Sequence, residues 1–232
     1  MKKLYIFILL ICIAGSISLQ GQQLPQYSQY MYNDFVINPA IAGTYDYYQI
    51  RTNHRFQWVG MVDPPLTNSI AFYGPHARMD MGYGGYIYTD VTGPTSRTGV
   101  TGSYAYNISL TPDMRLSMGL SFSMLQYKVD GTQLTPKDPS DHIIQGVVST
   151  SYVPDAGIGA YLYADDFYAG ISVSQLLNNK LKIFEEKTGL NKLKSHLYIT
   201  GGYRFEVAPD WIVVPAAIVK ATAPKEFRFE IN

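Results

Sequence analysis

A chain of 232 residues is long enough for one large β domain or two small ones, and for a sizeable buried core. Its 18 basic and 18 acidic side chains cancel, only 16% of residues are charged and a single cysteine is present, which argues against nucleic acid as a partner and against disulfide or thiol chemistry. Twenty tyrosines, ten phenylalanines and twenty glycines favour strands, and a mean hydropathy near zero excludes a helical membrane protein but not a barrel, whose two faces average out.

Residues 1–21 read as a signal peptide. Lys2 and Lys3 form the basic start, an apolar run follows from Leu4 to Ala14, and the small residues Gly15, Ser16 and Ser18 lead to cleavage near Ser18 or Gly21, with Gln22 as the mature start. The run is too short to span a bilayer, which needs about 20 residues. Cys12 lies inside it behind Leu9-Leu10-Ile11, which lacks the small residue that lipoprotein processing wants, so ordinary cleavage is expected. That cleavage removes the cysteine and two lysines and leaves a mature net charge of −2.

Residues 22–46 form an N-terminal segment, expected in the periplasm. From about residue 47 the chain alternates apolar and polar side chains with period 2, and a strand places such neighbours on opposite faces. The first expected strand, 48–58, sets Tyr48, Ile50, Thr52, His54, Phe56 and Trp58 against Gln49, Arg51, Asn53, Arg55 and Gln57. Five consecutive long polar side chains on one parity are expensive in a dry core and suit a wet lumen. Further strands are expected at 66–73, 82–90, 97–108, 114–127, 155–164, 167–174, 196–205, 211–220 and 225–232. The clearest is the fifth, with Met114, Leu116, Met118, Leu120, Phe122 and Met124 opposite Arg115, Ser117, Gly119, Ser121 and Ser123. In 211–220 both parities are apolar, and Pro215 must sit at a bulge or where no ladder bond is needed.

Short links at Thr111-Pro112-Asp113, Asp165-Asp166 and Ala208-Pro209-Asp210 alternate with longer ones at 59–65, 91–96, 128–154 and 175–195, the way outer-membrane barrels distribute periplasmic turns and extracellular loops. The last long link carries Leu176, Leu177, Leu181, Ile183, Phe184 and Leu190 among charged residues, and suits either a self-packed loop or an amphipathic docking surface. The expected fold is therefore all-β, an antiparallel transmembrane barrel of about ten strands over residues 47–232. Its final strand has no turn behind it, so the chain is expected to be a piece of a longer barrel with the C-terminal strands missing.

Arg51, Arg55, Arg97, Arg115, Arg204 and Arg228 all fall on the parity assigned to the lumen, with Glu226 and Glu230 as candidate partners. Two uses stay open: a ladder bracing a plugged barrel, or the lining of an anion channel. No catalytic constellation is found, so the chain is read as a non-enzyme without cofactor or metal. His54, His76, His142 and His196 are scattered, and Asp138, Asp141 and His142 read as a solvated turn. Gly119-Leu120-Ser121-Phe122-Ser123 lacks the last glycine of a nucleophile elbow. Gly82-Tyr83-Gly84-Gly85-Tyr86 has no helix behind it to make a phosphate loop, and its glycines are expected to relieve crowding beside tyrosines.

Residues 23–33, Gln-Leu-Pro-Gln-Tyr-Ser-Gln-Tyr-Met-Tyr-Asn, followed by Ile37-Asn38-Pro39-Ala40-Ile41-Ala42-Gly43, closely resemble the start of mature proteins of the PorP/SprF family, outer-membrane components of Bacteroidetes type IX secretion and gliding systems. The resemblance continues through Arg55-Phe56-Gln57-Trp58-Val59-Gly60, with Pro65, Thr67 and Pro75 after it, then Gly93-Pro94-Thr95-Ser96 and Tyr104-Ala105-Tyr106. Asp34 stands where the family often has proline, and Asp63-Pro64 replaces a common Gly-Ala. The resemblance implies a barrel of about 14 strands and a role in secretion or surface attachment of cargo such as adhesins. It further implies contacts with periplasmic lipoproteins and cargo C-terminal domains as well as with membrane lipid. Its motif residues are Asn38, Pro39, Gly43, Arg55, Gln57, Trp58 and Gly60; Asn38-Pro39 as a fixed turn and Gly43 at positive φ would give a rigid entry into the barrel. The competing reading is a porin or solute transporter, and a soluble β-sandwich is a third.

Overall fold

The computed structural model describes residues 30–133, 147–181, 193–208, 211–222 and 226–231. The expected signal peptide, the first motif block as far as Gln29, Asp138, Asp141, His142, the Pro209-Asp210 turn and the apolar residues Ile183, Phe184 and Leu190 lie outside them.

Among the described residues there are twelve strands: β1 (Gln49–Phe56), β2 (Leu66–Pro75), β3 (Met81–Thr92), β4 (Thr95–Ser109), β5 (Met114–Asp130), β6 (Val148–Ala164), β7 (Phe167–Ser174), β8 (His196–Tyr203), β9 (Phe205–Ala208), β10 (Trp211–Val213), β11 (Ala216–Thr222) and β12 (Glu226–Ile231). Ten of them form one antiparallel sheet in the order β1-β2-β3-β4-β5-β6-β7-β8-β11-β12, and β9 pairs with β10 separately. The all-β antiparallel reading holds. The sheet is open between β1 and β12, so the closure expected of a barrel is absent among the described residues.

Each expected strand region is occupied, with differences that have local causes. The expected 196–205 and 211–220 are each cut in two. Pro215 has no N–H to donate, and the ladder breaks beside it while its carbonyl still accepts the Tyr203 N–H at 3.2 Å. β6 starts at Val148, ahead of the expected 155, and carries Pro154 within it; before Ile158 no ladder with β7 is present, and the Pro154 carbonyl accepts instead from Asn179 Nδ2 at 2.7 Å, so the proline sits where no ladder N–H is needed on that side. The link at 91–96, expected to be long, is a tight Gly93-Pro94 turn between paired Thr92 and Thr95, with Gly93 at φ +53°.

The two sheet faces differ as the alternation requires. On β5 Ser117 and Gly119 are buried, whereas Met118, Leu120 and Phe122 are 49, 52 and 72% exposed, so among the described residues no helix or second layer lies over the apolar side. The register aligns that side across strands: Tyr83, Tyr104, Leu120 and Ile158 form one row, and Ile87, Val100 and Met124 another. Met114 to Met124 is ten residue-to-residue steps, roughly 34 Å of strand, which at the usual tilt of about 45° covers a band near 25 Å tall. Above the band the same face turns polar, with Asn68, Thr89, Thr98, Gln126 and Tyr152 in register.

The opposite face is covered by residues 30–44, and it is curled around them. Phe35 stacks on Tyr73 of β2 with ring centroids 4.5 Å apart, while Ile37, two residues on, clusters with Tyr198 of β8 and Ile218 of β11. Seven inter-strand steps separate β2 from β11, roughly 34 Å in a flat sheet, whereas two residues of chain span only about 7 Å. Only a strongly bent sheet brings both walls to one short segment.

Candidate functional site

The covered face is organised by one register row. Gly82 (β3), Ala105 (β4), Gly119 (β5), Gly159 (β6) and Ser172 (β7) pair in succession, so five small side chains line up across five strands. Residues 37–43 lie along this trough. A Cβ on Gly82 would collide with Ala42 and Gly43, one on Gly119 with Pro39 and Ala40, and one on Gly159 with the Asn38 side chain. Backbone here meets backbone, which is what the missing side chains permit. Gly82 therefore makes room for the segment rather than for a tyrosine, and Gly84, packed under Tyr73, matches the expectation for that run.

Short 3₁₀ turns at Tyr30–Tyr32, Asp34–Val36 and Pro39–Ile41 shape the segment. Asn38 caps the last of them: its Oδ1 accepts the Ala40 N–H at 3.0 Å, its Nδ2 donates to the Ala160 carbonyl of β6 at 3.1 Å, and Pro39 follows as the first residue of the turn. The Ile37 carbonyl accepts from Ser172 Oγ at 2.6 Å. Gly43 has φ +75°, and its carbonyl accepts from Asn107 Nδ2 at 3.0 Å. Asn38, Pro39 and Gly43 are thus together in the trough. At the entry, Arg51 Nη1 donates to the Tyr32 carbonyl at 2.9 Å and its Nε and Nη2 hold Gln49 Oε1 at 3.0 and 2.6 Å. Asp34 is half-buried beside it; burial pushes its carboxyl up to about 6, against the pull of the Arg51 guanidinium.

The second motif block is elsewhere. Arg55 lies on the covered face at the far end of β1, in register with Thr67, Asp90, Arg97 and Tyr127 on the next four strands. Thr67 Oγ1 donates to Asp90 Oδ1 at 2.6 Å and the Arg97 guanidinium stands 5.0 Å from the centre of the Tyr127 ring. Gln57 donates its N–H to the Pro65 carbonyl at 3.0 Å and opens the β1–β2 loop, in which Trp58 at φ +52° and Gly60 at φ +100° set a tight bend.

The six arginines do not form one ladder. Arg51, Arg55, Arg97, Arg115 and Arg228 share the covered-face parity, but only Arg55 and Arg97 share a row; Arg115 stands at the opposite end, 3.9 Å from Asp80, and Arg204 is exposed in the break after β8. Glu230 pairs with Lys220 of β11 at 3.0 Å, a partner the arginine parity did not suggest. His54 lies on the apolar face against Asn68, with Nδ1 and Oδ1 2.7 Å apart, and buried His196 contacts the Lys194 carbonyl. No group of three or more histidine, cysteine or carboxylate side chains able to hold a metal occurs among the described residues.

Sequence reasoning missed Phe35, Ile37 and the glycine row. The glycines were visible, but nothing in a linear chain shows that three strands bring theirs into one line with an alanine and a serine from two others. A model of the family described as type IX secretion system membrane protein PorP/SprF matches residues 19–232. No curated protein matches the chain.

Proposed function

The chain belongs to the PorP/SprF family of type IX secretion system membrane proteins, and from that premise we propose that it is a non-enzymatic outer-membrane barrel, sealed by its own N-terminal segment, that supports secretion or surface attachment of cargo proteins such as adhesins. Lipid surrounds the apolar face. Periplasmic lipoproteins of the machinery and C-terminal domains of cargo are the expected partners. Closure of the sheet by further pairing between its β1 and β12 sides belongs to the same reading.

The observation that carries it is the seating of residues 30–44 in the glycine trough. A general porin keeps an aqueous path, whereas Phe35, Ala40, Ile41 and Ala42 pack here with Tyr73 and Tyr161 into a continuous apolar core on the covered face. The sealed reading predicts a silent barrel in a planar bilayer, a conducting one when residues 30–44 are deleted, and co-purification with type IX lipoproteins from detergent extracts. Steady open channels from the intact chain, with no such partners retained, favour solute transport instead.

A further inference from the structure

Beside the segment lies a small recess, partly open to solvent, that the sealing role does not use. Val36 and Ile37 of the segment line it with Tyr86, Tyr88 and Tyr198, which supply aromatic surface, and they share the lining with serine and threonine hydroxyls and with Asp155 and Gln175. Asp155 is 6% exposed and accepts the Leu177 N–H at 3.3 Å, a contact that secures the turn after β7 but brings no positive charge. No lysine or arginine lines the recess among the described residues. Gln175 is 2% exposed, is held at φ +58°, and its Oε1 has no hydrogen-bond partner.

A carboxylate held only by backbone N–H groups and an amide oxygen with no partner therefore stand together among tyrosine rings, aliphatic side chains and hydroxyls, with no cationic donor among the described residues. Leaving the amide oxygen unpaired and the buried charge uncompensated is costly, and a ligand that donates and carries positive charge removes the cost. The alkyl walls match a methylene stem, and tyrosine rings attract a cation over their faces. We propose that this recess binds a lysine-type side chain, an alkylammonium on an apolar stem, presented by a polypeptide that enters the curled sheet. The site stands whether or not the chain serves secretion.

The test uses the full chain in detergent micelles and two small probes, N-acetyl-lysine methylamide and its uncharged analogue N-acetyl-norleucine methylamide, compared by saturation-transfer NMR. The lysine probe should give a signal at least threefold above the norleucine probe. Asp155→Asn keeps an acceptor for the Leu177 N–H while removing the charge, and should bring the two probes level; Gln175→Glu adds a second carboxylate and should raise the lysine signal further. Equal signals from both probes in the unsubstituted chain, or a lysine preference that both substitutions leave unchanged, would overturn the site.

Discussion

Single atoms decide whether the N-terminal segment can lie where it does. Gly119 faces the backbone of Pro39 and Ala40 with no room for a side chain. Gly119→Leu is expected to expel the segment at a cost of about 2–4 kcal/mol while leaving strand pairing intact; protease would then cut within residues 30–44 while β-sheet circular dichroism stayed unchanged. Asp34 offers a second handle. Its folded-state value of about 6 lies above the ordinary 3.8, so the folded chain holds the proton more tightly, and the resulting stability is complete below about pH 4 and lost as pH rises through 6. Urea midpoints should fall across that window by the equivalent of roughly 1 kcal/mol, given the partial exposure of the group, and Asp34→Asn should flatten the profile.

At the scale of elements, the segment is a strap fastened by side chains at four places: Arg51 on the Tyr32 carbonyl, Ser172 on the Ile37 carbonyl, Asn38 on Ala160 and Asn107 on the Gly43 carbonyl. Asn38→Ala removes both the cap of the 3₁₀ turn and the bond to β6, and should cost about 1–3 kcal/mol. Hydrogen exchange is the direct check, with faster exchange of the Ala40 amide and little change in β5 or β6. The strands that receive the strap were legible because a period of two survives along all of them but β11, where both parities are apolar, and Met114 to Met124 shows it without interruption. The strap was not legible as a strap. Asn38-Pro39-Ala40-Ile41-Ala42-Gly43 has no period, and its complement is spread over Gly82, Gly119 and Gly159, which line up only once three registers are set. The arginine parity was legible while its rows were not, for the same reason: parity is local, whereas a row depends on where every earlier strand begins.

Across the whole molecule, one face is too apolar for water and the other is built to be filled. A soluble sandwich would place a second sheet over Met118, Leu120 and Phe122, all of which are open. The curl of the sheet around Phe35 and Ile37 and the polar row above the apolar band both suit a wall standing in a bilayer. Accordingly the chain should stay with membranes through a carbonate wash and leave them only with detergent, and appearance in the wash supernatant would count against that arrangement.

Spin labels placed singly at positions 117, 118 and 120–124 of the chain embedded in its membrane, leaving out Gly119, where a side chain displaces the segment, test the arrangement most directly through collision with oxygen, which concentrates in lipid. Labels at 118, 120, 122 and 124 should collide strongly and those at 117, 121 and 123 weakly, in strict alternation. A flat profile, or strong collision at the odd positions, would contradict the assignment of the apolar face to lipid and with it the sealed barrel.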